Sequence, residues 1–291
     1  MLEKILLIVL AVGFTAPLGA AAGGRRDETG VPLEVVAGER LMVDARVNGR
    51  PVKALLDSAA EATLIDPQFA REIGLGDGAA VKGQGSGAST FEAQIVGGVT
   101  LSAVGVELRD QEVAVTDLAD VGRRLLGQKL SVVLGREIFD AARLEIDVRN
   151  LRIRAPARTT TPRGRRLALV SEHGVETIPV SVEGHAPVRA TFDLGNGSQV
   201  LVSRRYAERL GVLADGRPVK KADGGGLGGA SARDAFSFRT LKIAGRTLHD
   251  VEAAVDPQDS ASDLNVGMSV LRHFLITTDF HDRAVWLQPF E

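Results

Sequence analysis

The chain has no cysteine among its 291 residues. That absence excludes disulfide scaffolds, thiol nucleophiles, cysteine-ligated zinc and iron–sulfur clusters together. Histidine is scarce too. The five present, His173, His185, His249, His273 and His281, form no i, i+4 pair, so neither a metal nor another cofactor is expected. Aromatic residues are only 4% of the chain, with one Trp and one Tyr. Neither sign of charge dominates: 35 Lys+Arg against 37 Asp+Glu leave a formal net charge of −2. A nearly neutral chain has no general attraction to nucleic acid or anionic lipid. The apolar run Ile5 to Phe14 falls well short of the ~20 residues that a spanning helix needs.

What is present describes a globular protein. The chain is 44% hydrophobic and 25% charged, long enough for one large domain or two lobes. Residues 1–22 read as a secretory signal. Lys4 supplies positive charge, the apolar run follows, and Ala20-Ala21-Ala22 offers a small-residue cleavage site. Export to the periplasm or beyond is therefore expected, with an uncleaved N-terminal anchor as the alternative and no other membrane segment. An exported protein without disulfides must be held by its core alone. Glycine, at 33 residues, points to many turns and short strands.

The chain also repeats itself. Val47 to Asp57 carries a turn at Gly49 and an apolar strand ending on Asp57. An apolar stretch to Ile65 and a short helix stopped by Gly74 follow. Val182 to Asp193 carries a turn at Gly184 and a strand ending on Asp193, then Val200 to Val202 and a helix stopped by Gly211. Val132-Val133-Leu134-Gly135 and Leu264-Asn265-Val266-Gly267 form a later pair of landmarks, and Asp147 and Asp279 each lie twelve residues beyond their glycine. The two halves are expected at 33–154 and 167–291, joined by a Pro- and Thr-containing linker at 155–166. The linker's Arg163, Arg165 and Arg166 read as a solvated connection. Strands are predicted at Phe91–Leu101, Val104–Val115, Phe236–Ile243 and Leu248–Val255. Short helices are predicted at Pro67–Ile73 and Arg204–Leu210 and after Gly135 and Gly267.

An Asp directly after an apolar strand, once in each half, stands where the amides of the next turn can bond its carboxylate. If pseudosymmetry brings Asp57 and Asp193 face to face, the two cannot both ionise, and a protonated/ionised pair can activate a water. Other chemistries lack their motifs. Gly195 to Val200 lacks the third glycine and long helix of a dinucleotide loop, no Gly-Lys-Ser/Thr phosphate loop occurs, and no serine has glycine two residues away on both sides at once.

Leu55-Leu56-Asp57-Ser58-Ala59-Ala60 and Thr191-Phe192-Asp193-Leu194-Gly195-Asn196 resemble the active-site loops of the retropepsin-like and pepsin-like aspartic peptidases. The two apolar-apolar-Gly segments resemble that clan's second hallmark. The resemblance covers about residues 40–290. It implies an all-β fold with short helices: two tandem acid-protease barrels with a cleft between them. The implied activity is hydrolysis of an extended peptide or unfolded protein by a monomer, with Asp57 and Asp193 around a water and no cofactor. Ser58, Ala59, Gly195, Asn196 and Ser198 are the implied loop supports. The Gly-rich stretches around Gly83, Gly85, Gly87, Gly225 and Gly228 are the implied flaps, with exposed connections as the plainer reading. Two departures stand out. Ala59 replaces the motif glycine, and its Cβ is expected to push the amide away from the carboxylate. Leu194 replaces a Thr or Ser whose hydroxyl braces the opposite loop, leaving Ser58 to do so from one side. They motivate the alternative of a catalytically lapsed fold that binds peptides or a protein partner. Asp147 and Asp279 are read as structural, and Tyr206, on a helix, is no flap tyrosine.

Overall fold

The computed structural model describes residues 30–257 and 262–291. The expected signal, 1–22, lies outside the described residues. Strands dominate, with helices of seven residues or fewer. The repeat seen in the sequence is a repeat of hairpins. Strand Arg40–Val47 turns through Asn48-Gly49 into Arg50–Leu56, and Asn48 and Gly49 have φ of 47° and 77°. Positive φ at both positions is the two-residue turn whose twist matches a hairpin, and Asn-Gly is the pair that adopts it most readily. The second half repeats this with Val175–Val182 and Val188–Phe192 around Glu183-Gly184.

In each half a short strand runs beside the Asp-bearing one. Arg50–Leu56 pairs in parallel with Val132–Leu134, and Val188–Phe192 pairs in parallel with Leu264–Val266. On its other side each short strand meets Leu64–Ile65 or Val200–Ser203 antiparallel. The chain thus crosses itself under each Asp, and the crossing has a backbone signature: Asp57 N–H donates to Leu134 O at 3.0 Å and Asp193 N–H to Val266 O at 3.0 Å. A Cβ on Gly135 would come within 2.6 Å of Ala62 C, and one on Gly267 within 2.7 Å of Asn196 Cβ. Glycine is required at both positions because two backbones meet there.

The lobes join through a shared run of strands in the order Arg165–Ala168, Ala284–Pro289, Phe274–Asp279, Leu144–Asp147, Arg152–Arg154 and Val31–Val36. Ile276 faces Ile146 where the halves meet. The last two residues of the expected linker, Arg165 and Arg166, are strand. Arg158 and Thr160 are docked rather than free. Arg143 donates to the carbonyls of both at 2.8 and 2.7 Å, and Arg143 and Arg158 both pair with the wholly buried Asp279 at 2.9 and 2.5 Å. Burial raises the Asp279 pKa, but the Asp282 amide and the two guanidinium groups outweigh it and hold the carboxyl below its ordinary value. Asp147 instead accepts from Asn150 at a turn, so both repeated aspartates are structural.

The core is aliphatic with a few rings. Phe139, Phe192, Phe238 and Phe274 are fully buried, and Phe139 stacks on Phe280 at 5.3 Å. Each such side chain contributes roughly 1.5–3 kcal/mol. The predicted strands appear at Thr90–Ala103, Val106–Val115, Gly229–Ile243 and Arg246–Asp256. Val104, expected to open a strand, is instead a turn residue at φ 54°, followed by Gly105. The four predicted helices lie at Pro67–Glu72, Arg204–Leu210, Arg136–Ala141 and Met268–Leu271, and a further helical segment, not predicted, runs through Ala119–Val121 and Gly122–Leu126. Among the described residues no helix is long and apolar enough to cross a membrane.

Candidate active site

Each Asp follows the last residue of a sheet-locked strand, so the loop beyond it is presented from a fixed base. Asp57 Oδ1 accepts from the amides of Ala59 at 2.9 Å and Ala60 at 3.0 Å. Asp193 Oδ1 accepts from Gly195 and Asn196, both at 2.9 Å. The loops are therefore mirror images in their bonding, and the Ala59 Cβ does not push its amide away as expected. A Cβ on Gly195 would overlap the Asp57 carboxyl, so that carboxyl lies directly against the loop that follows Asp193.

The brace between the loops is one-sided, as the sequence suggested. Ser58 Oγ donates to Phe192 O at 2.9 Å and accepts from Leu194 N–H at 3.0 Å. Leu194 is fully buried and returns no polar bond from its side chain. Ser198, an implied loop support, bonds Asn196 rather than a carboxyl. Its amide and hydroxyl both donate to Asn196 Oδ1 at 3.0 Å, because the turn points them back at that side chain.

Two residues of the site escaped the sequence reading. Asn265 Nδ2 donates to Asp193 Oδ2 at 2.7 Å, and Asn265 Oδ1 accepts from Asn196 Nδ2 at 2.8 Å. A polar residue inside an otherwise apolar hallmark segment was the available signal. Arg40, only 7% exposed, donates through Nε to Gly195 O and through Nη1 to Ala37 O, both at 3.1 Å. Burial lowers its pKa, opposed by the charges of Asp193 and Asp57. Nothing in the sequence marks it, since Val175 holds the matching place in the second half.

Electrostatics separate the two carboxyls from ordinary ones. Burial first, and the neighbouring Asp193 second, lift Asp57 to about 7, against the Ala59 and Ala60 amides and Arg40. Burial also raises Asp193, opposed most strongly by the Asn265 amide and then by the Asn196 and Gly195 amides. The charge of Asp193 thus raises the proton affinity of Asp57, as expected where two buried carboxyls are coupled.

The Gly-rich stretches are hairpins. Ala79–Gln84 pairs with Thr90–Ala103, and Lys220–Gly226 pairs with Gly229–Ile243. Gly83 and Gly225 are thus strand residues rather than loop tips; Phe91 covers Gly83, and Gly225 has φ +103°. Gly85, Gly87 and Gly228 do lie at the tips. The two tips are tied to each other: Gly87 N–H donates to Leu227 O at 2.9 Å, Ser89 N–H to Gly228 O at 3.0 Å, and Arg233 Nη2 to Ser86 O at 3.0 Å. Arg124 Nη2 holds Gly226 O at 2.9 Å from the first lobe. Leu227 packs on the cluster of Met42, Leu55, Leu118 and Val133, next to the Asp57 loop. The tips are therefore interlocked rather than simply exposed connections.

A family model described as Aspartyl protease matches residues 43–138 and 178–270, so each Asp loop and each Gly-bearing crossing segment falls inside a match. The chain belongs to the aspartyl protease family. Its two matched segments are the two lobes of this tandem retropepsin-like member. Among solved structures, a retropepsin-like aspartic protease from Rickettsia conorii is similar at 17% identity and a TM-score of 0.33, over 42% of this chain and 88% of that one. No curated protein matches the sequence. Among the described residues of this aspartyl protease no cluster of His, Asp and Glu could hold a metal ion.

Proposed function

We propose that the chain is an aspartic-type endopeptidase in which Asp57 and Asp193 share a proton and activate a water. The observation that carries this reading is the mirrored bonding of the two carboxyls together with the contact of Asp57 on Gly195. One carboxylate takes a proton from the water as its oxygen bonds the peptide carbon, and the other, protonated, gives its proton to the carbonyl oxygen. As the resulting diol collapses the C–N bond breaks, the amine leaves with the proton first taken, and a diol hydroxyl returns its proton to the second carboxylate, which restores the pair. The interlocked flap tips would part to admit an extended or unfolded polypeptide and re-form over it to exclude bulk water. One chain supplies both carboxyls, which supports action as a monomer without cofactor, and the composition of residues 1–22 supports export.

A second reading, a lapsed fold that binds peptides, is favoured by Leu194, which leaves the brace one-sided. Incubation with casein at pH 4–7 separates the two. We expect cleavage by the native chain and a loss of 10³-fold or more, on the order of an essential acid–base group, in Asp57→Asn and in Asp193→Asn. Cleavage that survives both substitutions refutes the dyad. Binding without cleavage by the native chain, with activity gained in Leu194→Thr, establishes the lapsed form.

A further inference from the structure

We infer that Asn265 breaks the symmetry of the carboxyl pair, fixing the negative charge on Asp193 and leaving the shared proton on Asp57. This rests on the dyad reading above and assigns its two roles: Asp193 is the base toward water, and Asp57 is the acid toward the carbonyl oxygen.

The two halves provide an internal comparison. In the first, Leu55 stands opposite Val133 in the parallel pair; in the second, Thr191 stands opposite Asn265. Val133 and Asn265 hold the same place under the two loops, so the first half has an apolar side chain with no donor where the second has an amide. Asp57 accepts two N–H bonds, from Ala59 and Ala60. Asp193 accepts three, from Gly195, Asn196 and Asn265, and the third reaches the oxygen that the loop leaves free.

The direction of that third bond is fixed by a chain of donors. Ser198 N–H is a backbone group and can only donate, so the Asn196 oxygen must face it, as the 3.0 Å bond places it. The Asn196 amide nitrogen then points away and donates to Asn265 Oδ1 at 2.8 Å. Asn265 in turn has only its NH₂ left to present to Asp193, at 2.7 Å. Reversing either amide would set oxygen against oxygen or N–H against N–H. An obligatory donor aimed at a carboxyl oxygen favours the ionised form. The other charged group facing the pair is Arg40, from strand Arg40–Val47, and Arg124 lies beyond it. Arg40 acts on both carboxyls and more strongly on Asp193, whose loop it bonds at Gly195 O, so it favours the same placement of the charge as Asn265. Asn265 is thus a positioning residue, with Asn196 and Ser198 as its supports.

The test reads each carboxyl directly. In the native protein labelled with ¹³C at the aspartate carboxyls, with Asp57→Asn and Asp193→Asn used for assignment, Asp193 should ionise first and Asp57 last. Asn265→Val, which copies the first half, should raise the Asp193 titration by about one pH unit, the scale of one hydrogen bond to a charged group. The acid limb of kcat/KM on a peptide should move up with it, a shift that mere structural damage does not produce. Coupled ionisation in the opposite order, or an Asp193 titration unmoved in Asn265→Val, overturns the assignment while leaving the dyad standing. Two independent titrations near the ordinary carboxylate value overturn the dyad as well. If Asn265→Val fails to fold, the order of ionisation in the native protein decides the matter alone.

Discussion

Among the described residues Ser58 is the single side chain that bonds the two Asp loops together, and removing its hydroxyl has a calculable cost. In Ser58→Ala the Phe192 carbonyl loses a donor at 2.9 Å and the Leu194 amide loses an acceptor at 3.0 Å, with Ser58 itself only 2% exposed. A buried backbone group left without its partner costs about 1–3 kcal/mol. Two such groups, partly relieved by relaxation, give an expected loss of about 2–4 kcal/mol. For a chain of this size that corresponds to a fall in Tm of roughly 5–10 °C. Leu194 cannot compensate, because it has no hydroxyl to offer from the other side. Urea unfolding of native, Ser58→Ala and Ser58→Thr proteins at one pH is the assay, with Ser58→Thr expected to keep most of the stability. Activity in Ser58→Ala should fall more steeply than stability, since the brace also sets how the two carboxyls meet. A Ser58→Ala protein within ~0.5 kcal/mol of native, the range of an unremarkable surface change, would show that the hydroxyl is not bridging the loops.

Two further outcomes follow from the site and its foundations. Gly195→Ala sets a methyl group on the Asp57 carboxyl, and a displacement of that carboxyl by even ~1 Å should cost about 10²-fold in kcat while leaving the unfolding transition cooperative. The pH dependence of stability has two opposing arms. Asp57, with its pKa lifted to about 7, contributes stability that is fully present below the ordinary carboxylate value near 4 and is lost as pH rises toward 7. Asp279, held below its ordinary value, contributes stability that is present above about pH 4 and is lost as pH falls through its depressed pKa. Unfolding free energy measured from pH 3 to 8 should therefore decline from about pH 4 to 7 in the native protein and decline less in Asp57→Asn. Asp279→Asn should lose about 3–5 kcal/mol at pH 6, because Arg143 is left buried beside a neutral group. A native curve that rises between pH 4 and 7 contradicts the Asp57 assignment.

The repeat made the fold legible. Turn residues at Gly49 and Gly184, strands ending on Asp57 and Asp193, and glycines at 135 and 267 are local signals, each written in a few adjacent residues whose backbone demands are known. The strands Ala79–Gln84 and Lys220–Gly226 are not legible as strands in the sequence, because glycine carries no strand propensity. Pairing with a long neighbouring strand supplies the hydrogen bonds that the composition does not advertise. Ala59 was expected to disturb its loop, since a motif glycine tells only that glycine is tolerated, not which of two related loops is approached closely. In this chain it is the loop at Gly195 that meets a carboxyl.

The sequence by itself determined the two-lobed β architecture, the two aspartates, the one-sided brace from Ser58 and the absence of thiol chemistry. All of these depend on residues near one another in the chain or on the chain's similarity to itself. Only the tertiary structure decided what surrounds the carboxyls: Arg40 from an early strand, Asn265 from a late one and the interlocked tips at Gly87 and Gly228. Those groups are separated along the chain and act through space. Burial and charge set the protonation of the pair, and both are properties of the folded arrangement rather than of any local run of residues.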